Sequence, residues 1–340
     1  MEPTSTGYGA PVRGPLLAAT AAVLALALTA CGGAVDTAKV TYQRTTVPAG
    51  QDGGGGGSSA SGEPNANDPA FTNEKLRQLD PCELLTDDIL SNVGEPEENN
   101  RGDFAECGNY MKDTDGANLS ITLTLGENVS NAQEADQNIG GLPALENELD
   151  SGDACFITAV TSTLPNFGIT IQAGGESKEL CKAGRTVLTG VVDRIRKDPP
   201  DYDAPKGTLL NLDPCEVVKD ATLKSVLGGA ADGGAPYNLH WCNWHSSTAN
   251  LGVWLRLGYD PSKGSGGQAV PLGSGITGYK TTTQSSAASC ELQWGHRAFA
   301  GEDTEIVHIF YDKQKPKKGE DPCKPALSLA KTLISTLPKA

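Results

Sequence analysis

Nine cysteines carry the clearest chemical signal in this chain, because the spacing of eight of them repeats. These eight form two sets whose members lie 133, 135, 135 and 142 residues apart: Cys82, Cys107, Cys155 and Cys181, then Cys215, Cys242, Cys290 and Cys323. An even number of cysteines at matched spacings is typical of disulfides in an exported protein. A zinc site would need close pairs of the Cys-x-x-Cys type, which the sequence lacks, so we predict no metal site.

The connectivity of these cysteines is not unique, since four cysteines in one unit allow three pairings. Their order along the chain favours bonds between neighbours. The predicted disulfides are Cys82–Cys107, Cys155–Cys181, Cys215–Cys242 and Cys290–Cys323. On the chain-entropy account, each would stabilise the fold by roughly 3 to 4 kcal/mol.

The ninth cysteine, Cys31, follows an export signal. Arg13 is the lone basic residue ahead of an apolar run over residues 16–28, which is too short for a membrane-spanning helix of about 20 residues. Residues 28–31, Leu-Thr-Ala-Cys, resemble a bacterial lipobox, whose cysteine is lipidated and becomes the mature N-terminus. The alternative is an ordinary signal peptide with an unrelated cysteine. Acyl chains on Cys31 would anchor the protein stably.

The net charge of −15 constrains the partners. Nucleic acids and anionic lipid surfaces both attract a surface rich in Lys and Arg, whereas this chain has 27 basic residues against 42 acidic ones. We therefore expect no nucleic-acid partner, and membrane contact only through the N-terminal lipid.

The cysteine repeat also sets the predicted domains. Leu-Asp-Pro-Cys-Glu occurs at residues 79–83 and again at 212–216, where the aspartate can cap a short helix that begins with proline. We predict a tandem duplication. The predicted segments are a signal peptide (1–30), a lipidated cysteine with a flexible Gly/Ser/Pro tether (31–73), a first four-cysteine domain (74–197), a Pro-rich linker (198–207) and a second four-cysteine domain (208–340).

Each predicted domain has the pattern of an α+β fold. Residues 119–126 and 251–258 have an aliphatic side chain at every second position, as half-buried antiparallel strands do. A polar, Gly-rich connection is expected next, then two further strands, and finally a helix with apolar residues at helical spacing. We therefore predict two antiparallel sheets, each with N-terminal and C-terminal helices packed on it and two disulfides.

These motifs carry a family resemblance. Residues 79–86 (Leu-Asp-Pro-Cys-Glu-Leu-Leu-Thr), the Cys-Asn-Trp of residues 242–244 and the closing segment 323–338 are similar to those of actinobacterial lipoproteins grouped as domain-of-unknown-function family 3558. The second copy fits more closely, because residues 107–109 read Cys-Gly-Asn where tryptophan is expected. The resemblance implies an actinobacterial source and a cell-envelope location, and it brings no catalytic residues.

Several short motifs suggest chemistry that their context does not support. Residues 273–278 have the Gly-x-Gly-x-x-Gly spacing of a dinucleotide site, but a threonine run follows where a helix is needed. Residues 113–116 begin like a calcium loop but lack its later ligands, so a hairpin turn is favoured. We assign no catalytic residue and no cofactor.

All four tryptophans fall in the second predicted domain. Alternation puts Trp244 and Trp294 on the same faces as cysteines, and hence in the core. Trp241 and Trp254 fall on the opposite face, where the first domain has Glu106 and Thr122. The predicted binding surface consists of Trp241, Trp254, Arg256 and Tyr259. The alternative is that other elements cover this face.

These observations favour a lipid-anchored, extracytoplasmic protein that binds or senses a cell-wall glycan or an envelope protein. The expected location is the outer face of the cytoplasmic membrane, facing the wall. A wall hydrolase or accessory enzyme would instead need a deep polar pocket with a residue of perturbed pKa. A structural surface lipoprotein would need neither feature.

Overall fold

One antiparallel sheet runs through both halves of the cysteine repeat. The computed structural model describes residues 65–231, 233–264, 266–284 and 287–340, and the side chain of Gln284 is not described. The predicted signal peptide, Cys31 and most of the predicted tether lie outside the described residues.

The first half opens with three short helices, α1 (Asn73–Gln78), α2 (Pro81–Leu84) and α3 (Asp87–Leu90). Thr72, Asp80 and Thr86 each cap one of them by accepting backbone N–H groups of the first turn. The remaining elements are β1 (Gly94–Glu95), β2 (Asn100–Asp103), β3 (Glu106–Asp113), β4 (Asn118–Asn128), β5 (Gln137–Ile139), β6 (Leu142–Glu148), β7 (Ala154–Thr163), β8 (Asn166–Gly175) and α4 (Leu180–Lys197).

The second half has a similar series of elements. These are α5 (Pro214–Val217), α6 (Asp220–Leu227), β9 (Ala235–Asn238), β10 (Trp241–His245), β11 (Ala249–Tyr259), β12 (Gln268–Gly273), β13 (Ile276–Gln284), β14 (Ala287–Ala298), β15 (Asp303–Gln314) and α7 (Cys323–Thr336). Gly228 ends α6 with a left-handed φ of 74°, which glycine adopts without strain.

The strands pair in the same order in both halves. The first half has β3-β4-β8-β7-β6-β5, and the second has β10-β11-β15-β14-β13-β12. The two series meet where β9, which pairs with β10, also pairs with the end of β4 through Glu127 and Asn238. The predicted α+β class, an antiparallel sheet with helices, is confirmed, but the two predicted sheets are joined into one because β9 pairs with β4. Both halves fall within one compact unit.

The Gly-rich connection expected after the first long strand of each half is instead a hairpin. β5 and β6 are joined by Gly140 and Gly141, with φ values of 57° and 84°. β12 and β13 are joined by Ser274 and Gly275, with φ values of 52° and 78°. Two consecutive residues with positive φ form the tight turn that matches the twist of paired strands. The expectation of a loop was therefore wrong in both halves.

Four disulfides fasten helices to strands. They join Cys82 to Cys107, Cys155 to Cys181, Cys215 to Cys242 and Cys290 to Cys323, the same pairs that chain order favours. In each half one bond links an N-terminal helix to β3 or β10, and the other links β7 or β14 to the closing helix.

The two halves exchange one apolar side chain each. Phe104, between β2 and β3, is fully buried in the apolar cluster of the second half. Leu239, between β9 and β10, is 1% exposed and buried in the cluster of the first half. Gly126, with a φ of 66°, makes room for Leu239, because a Cβ there would lie 2.1 Å from Leu239 Cγ. Each core is therefore completed by the other half.

Polar contacts reinforce this junction. Arg77 is buried and donates from Nε to the carbonyl of Leu239 at 3.1 Å and from Nη2 to Asp213 at 3.0 Å. Asp103 Oδ1 accepts the backbone N–H of Leu257 across the junction at 2.8 Å. Two of these three bonds, to Leu239 O and from Leu257 N, involve a backbone group that a side-chain substitution cannot remove.

The Pro-rich linker lies against the first half. Asp80 N donates to Pro200 O at 2.8 Å, and Tyr202 N donates to Gln78 O at 2.8 Å. The Tyr202 hydroxyl donates to the carbonyl of Phe104 at 2.9 Å. The linker is thus part of the packed junction.

The folded part also begins before residue 74. Phe71 is fully buried, and Asn65 N donates to Gly141 O at 3.0 Å. Asp68 pairs with Arg196 of α4 at 2.9 Å. Within the described residues, no helix has the length and apolar character needed to cross a membrane.

Candidate functional site: an aromatic sheet face

The second half has aromatic side chains on the sheet face opposite its core. On β11, Val253 and Leu255 are buried in the core, so alternation puts Trp254 on the other face. Cross-strand pairing places Trp254 between Trp241 of β10 and His308 of β15. Residues from three strands of the sheet therefore meet on this face.

Five rings on this face form what we call the aromatic row: Tyr237, Trp241, Trp254, His308 and Phe310. Trp241 and Trp254 are nearly parallel, with centroids 5.2 Å apart and planes 16° apart. Tyr237 lies 4.4 Å from Trp241, and Phe310 lies 5.7 Å from Trp241 and 3.9 Å from His308. Trp254 and His308 are also nearly parallel, 6.3 Å apart. Each ring therefore packs against at least one other ring of the row.

The absence of a side chain at Gly252 makes this packing fit. A Cβ there would lie 2.8 Å from Asn243 Oδ1 and 3.2 Å from Trp241 Nε1. Trp241 Nε1 donates to Asn243 Oδ1 at 2.9 Å, which fixes the orientation of the indole. In the sequence Leu-Gly-Val-Trp at residues 251–254, the first and third side chains therefore pack in the core. On the other face, the glycine leaves room for Trp241 and the tryptophan supplies a ring.

Arg256 lies over the ring of Trp254. Its Cζ is 5.1 Å from the centroid of Trp254, a cation–π distance. Its Nη2 donates to Gln293 Oε1 at 3.3 Å. Trp254 and Arg256 are both half-buried, so part of each side chain is open to solvent.

His308 is the most buried polar side chain of the row, with 7% of its surface exposed. Burial, with a smaller contribution from the charge of Arg256, lowers the pKa of His308 to about 3, so the ring is neutral at neutral pH. Neither ring nitrogen has a hydrogen-bond partner among the described residues. The nearest carboxylate, Glu291, lies 3.7 Å from Nε2. Trp254 Nε1 and Arg256 Nε are likewise buried without a partner there.

A shallow depression of about 190 Å³ adjoins the row. The polar residues of its lining are Asn243, Asn250, Ser289, Glu291 and Asp312, and the aromatic residues are Phe310 and Tyr311. Asn250 Nδ2 donates to Asp312 Oδ1 at 2.8 Å, and Asn250 Oδ1 contacts His245 Nδ1 at 2.7 Å. Phe310 belongs to both features and so connects the aromatic row to the polar depression.

The matching face of the first half is polar. Pairing aligns Glu106 of β3 with Thr124 of β4, Thr170 of β8 and Thr158 of β7. Cys107 and Cys242 occupy matching places, and their partners are Leu123 and Val253, so the counterpart of Trp254 is Thr124. The predicted counterpart, Thr122, was therefore wrong by two residues. The aromatic row is specific to the second half.

Three of the four predicted surface residues, Trp241, Trp254 and Arg256, come together, and Tyr259 does not. Tyr259 is 75% exposed at the last position of β11. It lies five positions after Trp254 along a continuous ladder, and an odd offset puts it on the opposite face. Including Tyr259 was an error of alternation.

His308, Phe310 and Tyr237 were not among the predicted surface residues. A signal for the first two was present, because Val-His-Ile-Phe at residues 307–310 alternates and puts both rings on one face. What the sequence does not show is that β15 lies beside β11, since the two strands are distant along the chain.

The remaining tryptophans, two histidines and one cluster of possible metal ligands lie away from the row. Trp244 and Trp294 are buried in the core, at 1% and 0% exposure. His240 packs against Phe104 in the junction, with ring centroids 5.1 Å apart, and His296 Nε2 contacts Gly207 O at 2.8 Å. Glu146 lies near the sulfur atoms of Cys155 and Cys181, but these sulfurs are joined in a disulfide and are not thiolate ligands.

Comparison with known proteins gives a family of unknown function. Residues 26–194 match the family described as "Protein of unknown function (DUF3558)", which supports membership of that family. The matched range contains Cys31 and the first half of the repeat, whereas the motifs suggested a closer fit for the second half. No curated protein matches the sequence.

One solved structure aligns weakly with the chain. DynU16, a protein in the dynemicin biosynthetic locus, is 9% identical over 78% of this chain and 91% of its own, with a TM-score of 0.15. A likeness at this level carries no argument about fold or function.

Proposed function

Given the match of residues 26–194 to the DUF3558 family, we propose that this chain is a lipid-anchored binding or sensing protein of an actinobacterial cell envelope. The observation that carries the binding role is the aromatic row of the second half, beside which polar atoms of Trp254, Arg256 and His308 lack partners among the described residues. Rings that remain partly exposed, next to unpaired donors and acceptors, offer both contact area and specificity to a ligand.

We also propose that the two halves are copies of one duplicated domain. The common strand order and the four matched disulfides support this. On this view one copy has kept a polar face while the other has gained the aromatic row. The first half would then act as a spacer or support for the binding half.

Anchoring is proposed through Cys31, on the outer face of the cytoplasmic membrane and facing the wall. The lipobox-like residues 28–31 support it. Metabolic labelling with an alkyne fatty acid should tag the wild type and leave a Cys31→Ser variant untagged and released from the membrane. Equal labelling of both would contradict lipidation at this residue.

The binding role is tested by replacing Trp254 with alanine. We expect the full chain to retain components of an envelope extract on an affinity column, and Trp254→Ala to retain about a tenth as much or less, since it loses an aromatic contact and its stacked partners. Tyr110→Ala is a matched control, because Tyr110 is 66% exposed on the sheet of the first half. Equal retention by wild type and Trp254→Ala would reject the proposed surface.

A further inference from the structure

We propose that the aromatic row and the adjoining depression bind an uncharged glycan chain. This inference rests on the proposed binding function and names its ligand class. It combines three features of the site: ring surface, unpaired polar atoms and local charge.

The ring surface suits sugar rings. Sugars present C–H groups on their faces, and these pack on aromatic side chains as other apolar groups do. The row extends from β9 to β15, across three spacings between neighbouring strands, each about 4.8 Å. A surface of this length favours several linked rings over one small ligand.

The unpaired polar atoms require a ligand with both donors and acceptors. A neutral imidazole such as that of His308 has one of each, whereas Trp254 Nε1 and Arg256 Nε can only donate. A hydroxyl group donates and accepts, so the hydroxyls of a sugar match this mixture of donors and acceptors. A purely apolar ligand would leave them buried and unpaired, at a cost in affinity.

Local charge favours a neutral ligand over an ionic one. Glu291 and Asp312 line the depression and disfavour an anion. The positive charge of Arg256, whose Cζ lies 5.1 Å from the centroid of Trp254, disfavours a cation at the same ring. An uncharged polyhydroxylated chain is repelled neither by these carboxylates nor by the guanidinium of Arg256.

The test uses the full chain in detergent with soluble polysaccharides of known composition. Affinity electrophoresis in gels containing a neutral galactan, mannan or linear glucan is compared with gels containing polygalacturonate. Intrinsic fluorescence gives a second measurement, because all four tryptophans lie in the second half and two of them belong to the row. We expect at least one neutral polymer to retard the wild type and shift its emission, and the anionic polymer to do neither.

Two variants separate stacking from hydrogen bonding. Trp254→Ala removes a ring, and His308→Phe keeps a ring but removes both nitrogens; each should weaken binding of the neutral polymer about tenfold or more. Tyr110→Ala should bind as the wild type does. Trp254→Phe, which retains stacking, should recover part of the loss, and far-UV circular dichroism verifies that each variant is folded.

The outcomes distinguish this inference from the function on which it rests. Binding of polygalacturonate that depends on Trp254 would overturn the neutral-glycan inference and leave the binding function in place. Retention of an envelope protein through Trp254, without binding to any polysaccharide, would do the same. Absence of every interaction that depends on Trp254 would overturn both.

Discussion

Asp103 shows how a single side chain at the junction affects the response to pH. Its Oδ1 accepts N–H groups of Phe104 at 2.7 Å and Leu257 at 2.8 Å. Burial raises the pKa of this carboxyl from 3.8 to about 6, despite these hydrogen bonds and the nearby charge of Arg256. The folded protein therefore holds this proton more tightly than the unfolded chain does.

Because the pKa of Asp103 is higher in the folded protein, its contribution to stability is fully present when the pH is below the pKa of the unfolded chain. This contribution is lost as the pH rises through about 6. We expect Asp103→Asn to match the wild type near pH 4 and to exceed it by on the order of 2 kcal/mol at pH 7 to 8. Urea unfolding at several pH values measures the difference. Asp150→Asn, at an exposed site, changes the net charge equally and should leave the pH profile unchanged. A parallel offset at every pH would contradict this explanation.

Single residues also show what the sequence could predict. Alternation correctly separates Trp244 and Trp294 in the core from Trp241 and Trp254 outside it. It cannot show that Arg256 lies over Trp254, because that contact depends on the rotamers of two neighbouring side chains. The partners of His308 depend on strand neighbours that are remote in the chain.

At the level of elements, local signals predicted the most. The capped helix starts at Asp80 and Asp213 and the long strands β4 and β11 follow from capping residues and strict alternation. The hairpins β5–β6 and β12–β13 were missed because their glycines read equally well as a loop. Only pairing with β7 and β14 distinguishes the two.

The disulfides are elements whose contribution can be measured separately. The Cys155–Cys181 bond ties β7 to α4 across a separation of 26 residues. We expect Cys155→Ala with Cys181→Ala to lower the free energy of unfolding by roughly 3 kcal/mol, because the unfolded chain regains the entropy of that loop. Denaturation by urea measures the loss. Full reduction of the wild type should lower its free energy of unfolding below that of the oxidised double variant, because reduction breaks all four disulfides and the substitutions remove only one. Equal stability of wild type and double variant would refute this account.

At the level of the whole molecule, the exchange of Phe104 and Leu239 makes each core depend on the other half. No periodicity within one half predicts this, because Phe104 is an isolated apolar residue in the sequence Gly-Asp-Phe-Ala-Glu. The division into two tandem domains could be argued from the repeat, but their junction could not.

The exchange leads to a test of cooperativity. Phe104→Ala should lower the free energy of unfolding by about 3 to 5 kcal/mol, as expected for a buried aromatic side chain. Tryptophan fluorescence, which reports only on the second half, should show the shift although the substitution lies in the first. Leu149→Ala, at a site 40% exposed, should change stability by about 0.5 kcal/mol or less. An unchanged fluorescence midpoint for Phe104→Ala would mean that the halves unfold independently.

The crossed side chains have one more consequence. A fragment cut at the linker would expose the apolar side chain that it normally inserts into the other half. It would also have a cavity in its own core, where the other half's side chain normally lies. Two such fragments of opposite origin, mixed in equal amounts, should reassemble into a noncovalent heterodimer. Either fragment alone should tend to self-associate.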